Sequence, residues 1–228
     1  MVEQESPKLL MWVRFLQLLP IQKHSWRASM HFLFLTRCYN STNIQTIKDN
    51  LKSIFNNQKQ DTHHTYQQVL LVDMDRSKLK EEDFSLFQDS NTEVHFVYNK
   101  KDEFLAYAID DYLETIEQEN TYVYILDDDN LIKENFLDVC NYVEDNDIVI
   151  FKLENKKWLA GESILKGANG KTDWANCLTK LSIMKQYKVG CSYSHNCDGQ
   201  FVDKIIKANA KVKILEEQFG YYNKLPKP

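Results

Sequence analysis

Hydrophobic positions along the chain alternate between runs that are apolar throughout and stretches whose apolar residues stand three or four apart. The first pattern predicts strands buried on both faces, the second amphipathic helices. Residues 31–36 (HFLFLT) form a first strand, and Asn40-Ser41 offer caps before Ile44, Ile47, Leu51, Ile54 and Phe55, which recur at helical spacing. After a polar connection over 56–65, residues 68–73 (QVLLVD) give a second strand ending in Asp73-Met74-Asp75. Residues 94–98 predict a third, followed by a helix with the apolar face Phe104, Leu105, Ala108, Tyr112, Leu113 and Ile116. A fourth strand over 121–126 runs straight into Asp127-Asp128-Asp129-Asn130. Beyond it the pattern predicts a short helix over 130–143 and a strand over 147–153. A mobile loop over 158–190, with a helix around 174–187, leads to a helix opened by Asp198-Gly199 and a closing strand over 212–215. Strands and helices in this alternation imply one α/β domain with a mostly parallel central sheet and helices on both faces.

In open sheets of this kind the ligand crevice lies beyond the carboxyl ends of the strands. Four predicted strands end in Thr36-Arg37, Asp73-Met74-Asp75, Asn99-Lys100 and Asp127-Asp128-Asp129, which right-handed crossovers would bring to one rim. Three adjacent carboxylates repel one another unless solvated or bound to a cation, and hard oxygen donors select Mg²⁺, Mn²⁺ or Ca²⁺. The competing explanation is a solvated acidic turn that caps the next helix.

Composition narrows the choice. With 228 residues and no Pro-, Gly- or Ser-rich divider, one domain with a full core is expected, over residues 30–228. A net charge of -5, from 28 basic and 33 acidic residues, argues against nucleic acid as a partner. Cys38, Cys140, Cys177, Cys191 and Cys197 form neither a CxxC nor a regular spacing, so a reducing, cytoplasmic setting is expected. Cys191, His195 and Cys197 would make only a partial metal set. Residues 1–29 form an extension whose apolar run from Leu9 to Leu19 is broken by Arg14 and Gln17. It is too short to span a bilayer and lacks a basic leader, which leaves a dispensable segment or an amphipathic helix in weak association with a membrane surface.

The order of parts over residues 31–222 resembles the GT-A (Rossmann-like) glycosyltransferases, specifically those similar to glycosyltransferase family 2. Leu35-Thr36-Arg37-Cys38-Tyr39-Asn40 is similar to the P-T-Y-N turn of the family that includes cellulose and chitin synthases. Val72-Asp73-Met74-Asp75-Arg76-Ser77 resembles its V-D-D-G-S turn, and Leu126-Asp127-Asp128-Asp129-Asn130 resembles the DDDN of animal glucuronosyltransferases. Tyr107-Ala108-Ile109-Asp110 stands where the family carries an Ala-Arg-Asn signature. The resemblance implies a nucleoside-diphosphate sugar donor, with Mn²⁺ or Mg²⁺ as cofactor. It implies Thr36, Arg37, Asn40, Asp73 and Asp75 at the nucleotide-sugar site, Asp128 on the ribose and Asp129 on the metal. Asp127 would join the same ion, because alternate residues of an extended segment point the same way. Arg37 would either neutralise the diphosphate or pair with a surface acid.

An inverting transfer also requires a carboxylate to take the acceptor's proton. Asp198 opens a late helix where the family carries its base, although an N-cap role explains the residue as well. A helix N-terminus is expected to lower its pKa. Asp173 is the next candidate. Trp158 and Trp174 have flat faces suited to a sugar on the acceptor side, and core packing explains them equally well. The acceptor would be a glycan, a lipid-linked molecule or a protein hydroxyl. Two other functions stay open: a noncatalytic nucleotide-sugar-binding or scaffold protein, and a phosphatase resembling haloacid-dehalogenase hydrolases, with Asp73 as nucleophile in Asp73-Met74-Asp75-Arg76-Ser77.

Overall fold

The computed structural model describes residues 29–39, 41–58, 64–76, 80–98, 105–156, 161–168, 172–189 and 197–225. The N-terminal segment before residue 29, Asn40, Trp158, Cys191 and His195 lie outside them.

Strand β1 (His31–Cys38) leads into helix α1 (Ile44–Asn56), which buries Ile44, Ile47, Leu51, Ile54 and Phe55, the face expected from their spacing. Its N-cap is Asn43 rather than the Asn40-Ser41 pair, and the buried Asn43 amide donates to the carbonyl of Asp128, 2.8 Å away. Strand β2 (Thr65–Asp73), the short helix α2 (Glu81–Ser85), strand β3 (Thr92–Val97) and helix α3 (Ala106–Glu114) follow, and then strand β4 (Thr121–Asp127). The helix expected over 130–143 is instead a two-residue strand β5 (Leu131–Ile132), a 3₁₀ turn (Phe136–Val139) and one helical turn α4 (Cys140–Val143). Asn50 of α1 explains the break: its amide bonds both Ile132 N and Ile132 O at 3.0 Å, holding that backbone extended.

The second half departs further from the sequence pattern. Strand β6 (Ile148–Glu154) and a 3₁₀ turn (Gly161–Lys166) precede the 3₁₀ turn Trp174–Asn176, strand β7 (Cys177–Lys180) and helix α5 (Leu181–Tyr187). The region expected as a loop and one helix therefore carries a central strand. Cys177, Leu178 and Thr179 are all buried, so β7 has no period-2 alternation to betray it. Helix α6 (Cys197–Lys207) and strand β8 (Val212–Tyr221) complete the chain; Glu216 and Glu217 interrupt the apolar pattern that would have revealed the full length of β8.

All eight strands join one sheet in the order β3-β2-β1-β4-β7-β6-β8-β5. The β3-β2-β1-β4 half is parallel, β7 runs antiparallel between β4 and β6, and β8 is parallel to β6. Alternation across the pleat divides the core into two layers. Phe32, Phe34, Tyr122, Tyr124 and Leu126 face α1 and the 136–143 turns, with Phe34 edge-on to Tyr124 at 5.8 Å. Leu33, Leu35, Val69, Leu71, Val123 and Ile125 face the layer of α3, α5 and α6. The parity decides which polar residues at the strand ends reach the same side. Arg37, Asp73 and Asp127 continue the second layer, whereas Thr36 and Asp128 continue the first. Among the described residues no helix is long and apolar enough to cross a membrane, and Cys38, Cys140, Cys177 and Cys197 are buried.

Candidate active site

β1 and β4 are paired so that Arg37 lies opposite Asp127. The guanidinium Nε donates to Asp127 Oδ1 at 2.6 Å, with both side chains mostly withdrawn from solvent. Burial opposes the charge on Arg37, and the Asp127 carboxylate overrides it, holding the group firmly protonated. Arg37 thus pairs with a carboxylate of the acidic turn.

Asp128 turns the other way. Its carboxylate is buried and accepts from the backbone N–H of Tyr39 at 2.9 Å, while its carbonyl accepts from Asn43. A carboxylate placed in this manner clamps the β1 exit to the β4 exit. Thr36 shares that parity: it is fully buried and its hydroxyl accepts from Gln68 Nε2 at 3.0 Å, so it lies beneath the rim rather than on it. Asp129 is half-buried in the turn, and its carbonyl accepts from Leu225 N at 3.0 Å.

At the end of β2, Asp73 is buried and organises its own turn. Its Oδ1 accepts from the backbone N–H groups of Asp75 and Arg76, both at 3.1 Å, and Arg76 Nε stands 3.5 Å from Oδ2. A carboxylate spent on its own turn in this way makes a poor phosphatase nucleophile. Asp75 is exposed on the rim. Arg76 also lies over the ring of Tyr39, 5.7 Å from its centroid. Burial pushes the Tyr39 phenol up to about 12, partly offset by Arg37. Tyr39 thus connects the β2 turn to the acidic turn, a role that the sequence pattern leaves unmarked.

The third part of the site comes from the second half of the chain. Asp173 caps the 3₁₀ turn 174–176 through Oδ1 to Ala175 N at 3.0 Å, with Asn176 completing a capping box, and its Oδ2 pairs with Lys156. Asp198, on the first turn of α6, lies within reach of the charges of Asp173, Arg37 and Lys156. Burial raises its pKa from 3.8 to about 6; the Gly199 N–H at 2.6 Å opposes that rise, as do Arg37 and Lys156, and Asp173 adds to it. The expected lowering by the helix N-terminus is therefore reversed, because desolvation outweighs the helix end. Trp174 is 4% exposed, with its ring 5.2 Å from Phe201, so it belongs to the core and offers no face to a sugar.

Among the described residues no three His, Cys, Asp or Glu side chains converge to hold a metal by themselves. A hard divalent ion that keeps diphosphate oxygens and water in its shell needs only one or two protein carboxylates. Asp127 and Asp129, flanking the inward-turned Asp128, are the carboxylates of the turn that could supply them.

No protein-family model matches the sequence, and no curated protein matches it. Solved structures do. The TarS 1-349 fragment of S. aureus in complex with UDP-GlcNAc aligns with a TM-score of 0.62 at 14% identity, over 85% of this chain and 58% of that one. The mannosyltransferase PcManGT of Pyrobaculum calidifontis, in complex with GDP-Man and Mn²⁺, aligns with a TM-score of 0.61 at 13% identity, over 95% of this chain and 64% of its own. The chain spans less than two thirds of either structure. A 4-diphosphocytidyl-2C-methyl-D-erythritol synthase of Anaerococcus prevotii aligns with a TM-score of 0.54 at 11% identity, over 87% and 92%. The shared architecture is the GT-A fold.

Proposed function

We propose that this chain is a glycosyltransferase that moves a sugar from a nucleoside-diphosphate donor to an acceptor hydroxyl, with inversion and with Asp198 as the base. The observation that carries the reading is Asp198 itself, a mostly buried carboxylate with its pKa raised to about 6, facing the same polar cluster as the Arg37–Asp127 pair of the acidic turn. A base titrating near neutral pH is ionised when needed yet basic enough to take a hydroxyl proton in the transition state. An isolated N-cap would instead stay low.

The rest of the rim suits the donor. Arg37, Arg76 and the ring of Tyr39 line the side where a nucleoside diphosphate would lie, and arginine forks match phosphate oxygens. Asp127 and Asp129 would hold Mn²⁺ or Mg²⁺ together with the diphosphate, and such an ion supplies charge neutralisation of the leaving group. Asp73 acts by fixing the turn that presents Asp75 and Arg76. Asp173 is assigned to orienting the Asp198 side of the site rather than to the acceptor. The complexes of TarS with UDP-GlcNAc and of PcManGT with GDP-Man and Mn²⁺ support a nucleotide-sugar donor and a manganese ion here. The noncatalytic alternative keeps the donor rim and dispenses with Asp198.

A donor panel tests the reading. UDP-, GDP- and dTDP-sugars are incubated with and without Mn²⁺ and nucleotide release is followed; release that needs Mn²⁺ and disappears in Asp129→Ala supports the transferase. Tight donor binding with no release in any acceptor mixture favours the noncatalytic protein. Pyrophosphate formed from a nucleoside triphosphate and a sugar phosphate would assign the fold to nucleotidyl transfer instead.

A further inference from the structure

Lys156 stands two residues past the end of β6, and nothing in the sequence pattern marks it. Its side chain is 2% exposed, a location lysine takes only when its charge is compensated. The ammonium pairs with Asp173 Oδ2, and it lies 3.8 Å from the centroid of the Tyr222 ring. Cation–π contacts gain strength when desolvated, as this one is. Tyr222 begins a C-terminal segment that straps the site. Tyr222 N donates to Glu154 O at 3.0 Å, Asn223 N to Asn130 Oδ1 at 2.8 Å, and Leu225 N to Asp129 O at 3.0 Å. The strap therefore joins the end of β6 to the acidic turn, with Lys156 beneath it.

We propose that Lys156 is a positioning residue for Asp198: by gripping Asp173 on one side and the Tyr222 strap on the other, it fixes the charges that surround the base. The proposal rests on the transferase reading for its catalytic meaning and, for its substance, on the Lys156–Asp173 pair and on Trp174, next to Asp173, packing its ring 5.2 Å from that of Phe201, one turn beyond Asp198 on α6. Among the described residues, the titratable and charged groups whose charges reach Asp198 are Asp173 from the turn before β7, Cys177 on β7, Arg37 on β1 and Lys156 after β6. Lys156 acts on Asp198 in two ways with the same sign. It is a nearby cation, and it neutralises the nearby like charge of Asp173. Without it, Asp198 faces an uncompensated carboxylate and holds its proton to higher pH.

The test is a carboxyl ¹³C titration of Asp198 in the full chain, paired with pH–rate profiles, for Lys156→Met, Lys156→Arg, Asp173→Asn and the Lys156→Met/Asp173→Asn double variant. Lys156→Met is expected to move the Asp198 midpoint and the acid limb upward by about one pH unit, with the donor KM within about twofold of the parent. Asp173→Asn is expected to move both downward, Lys156→Arg to leave them near the parent, and the double variant to return toward it. A residue that merely held the fold together would lower the melting temperature without moving the midpoint. If Lys156→Met does not fold, Asp173→Asn decides by the direction of its shift. An unmoved midpoint in folded Lys156→Met, or an upward shift in Asp173→Asn, overturns the proposal. Titrations that behave as expected in a protein without transferase activity retain the positioning role and remove the transferase reading instead.

Discussion

Arg37 Nε lies 2.6 Å from Asp127 Oδ1, so the cation at the end of β1 is tied to the first carboxylate of the acidic turn. The pair has a structural cost and a functional consequence. Removing one partner of a mostly buried ion pair leaves the other uncompensated, and Arg37→Met is expected to destabilise the fold by about 3 kcal/mol. The same substitution removes a positive charge beside the proposed ion site, so Mn²⁺ affinity without donor should rise several-fold. Thermal unfolding and calorimetric titration with Mn²⁺ measure the two effects.

Asp198→Asn should make the protein more stable at alkaline pH. The carboxyl of Asp198 titrates near 6 when folded against 3.8 as its ordinary value, so the native state binds its proton more tightly than the unfolded one. The ionised group therefore costs stability above about pH 6, and the cost disappears below about pH 4. The variant is expected to gain about 1–3 kcal/mol over the parent at pH 8 and nothing at pH 3.5. Denaturant melts at the two pH values check the sign.

Asp73→Asn should keep the β2 turn, because an amide oxygen accepts from the Asp75 and Arg76 N–H groups as the carboxylate does. Asp73→Ala loses both bonds and is expected to cost about 1–2 kcal/mol. Phosphomonoester hydrolysis that is present in the parent and abolished by Asp73→Asn would restore the phosphatase alternative.

Gly220 sits where β8 meets β5 and β6. A Cβ there would fall 2.8 Å from Leu153 Cδ2, 3.3 Å from Tyr124 OH and 3.4 Å from the carbonyl of Leu131. Leu153 can rotate aside, but Tyr124 is held by its hydroxyl on the carbonyl of Ala175. Gly220→Ala is expected to destabilise by about 1–3 kcal/mol, read as a lower denaturation midpoint.

The parallel half of the sheet was legible because β1, β2 and β4 are apolar runs, and α1 because its five buried residues keep helical spacing. β7 was hidden by burial on both faces, β5 by its two-residue length, and the end of β8 by Glu216 and Glu217. Asp127, Asp129 and Asp198 could be nominated from their places after strands and before a helix. The direction each side chain takes could not. Thr36 and Asp128 adjoin Arg37 and Asp127 in sequence, but pleat parity sends them to the opposite layer. Lys156, Tyr39 and Arg76 gain their positions from contacts between segments distant in sequence, and only the folded chain reveals them. The raised pKa of Asp198 likewise depends on how α6 packs, which a helix-start motif does not encode.

The rate of nucleoside diphosphate release from the cleaved donor, measured against pH in the parent and in Asp198→Asn with Mn²⁺ present, tests the central claim most directly. The account predicts a parent rate that rises through about pH 6 and a loss of about 10²–10⁴-fold in the variant across the range. Undiminished release by Asp198→Asn, with the same acid limb, would contradict it.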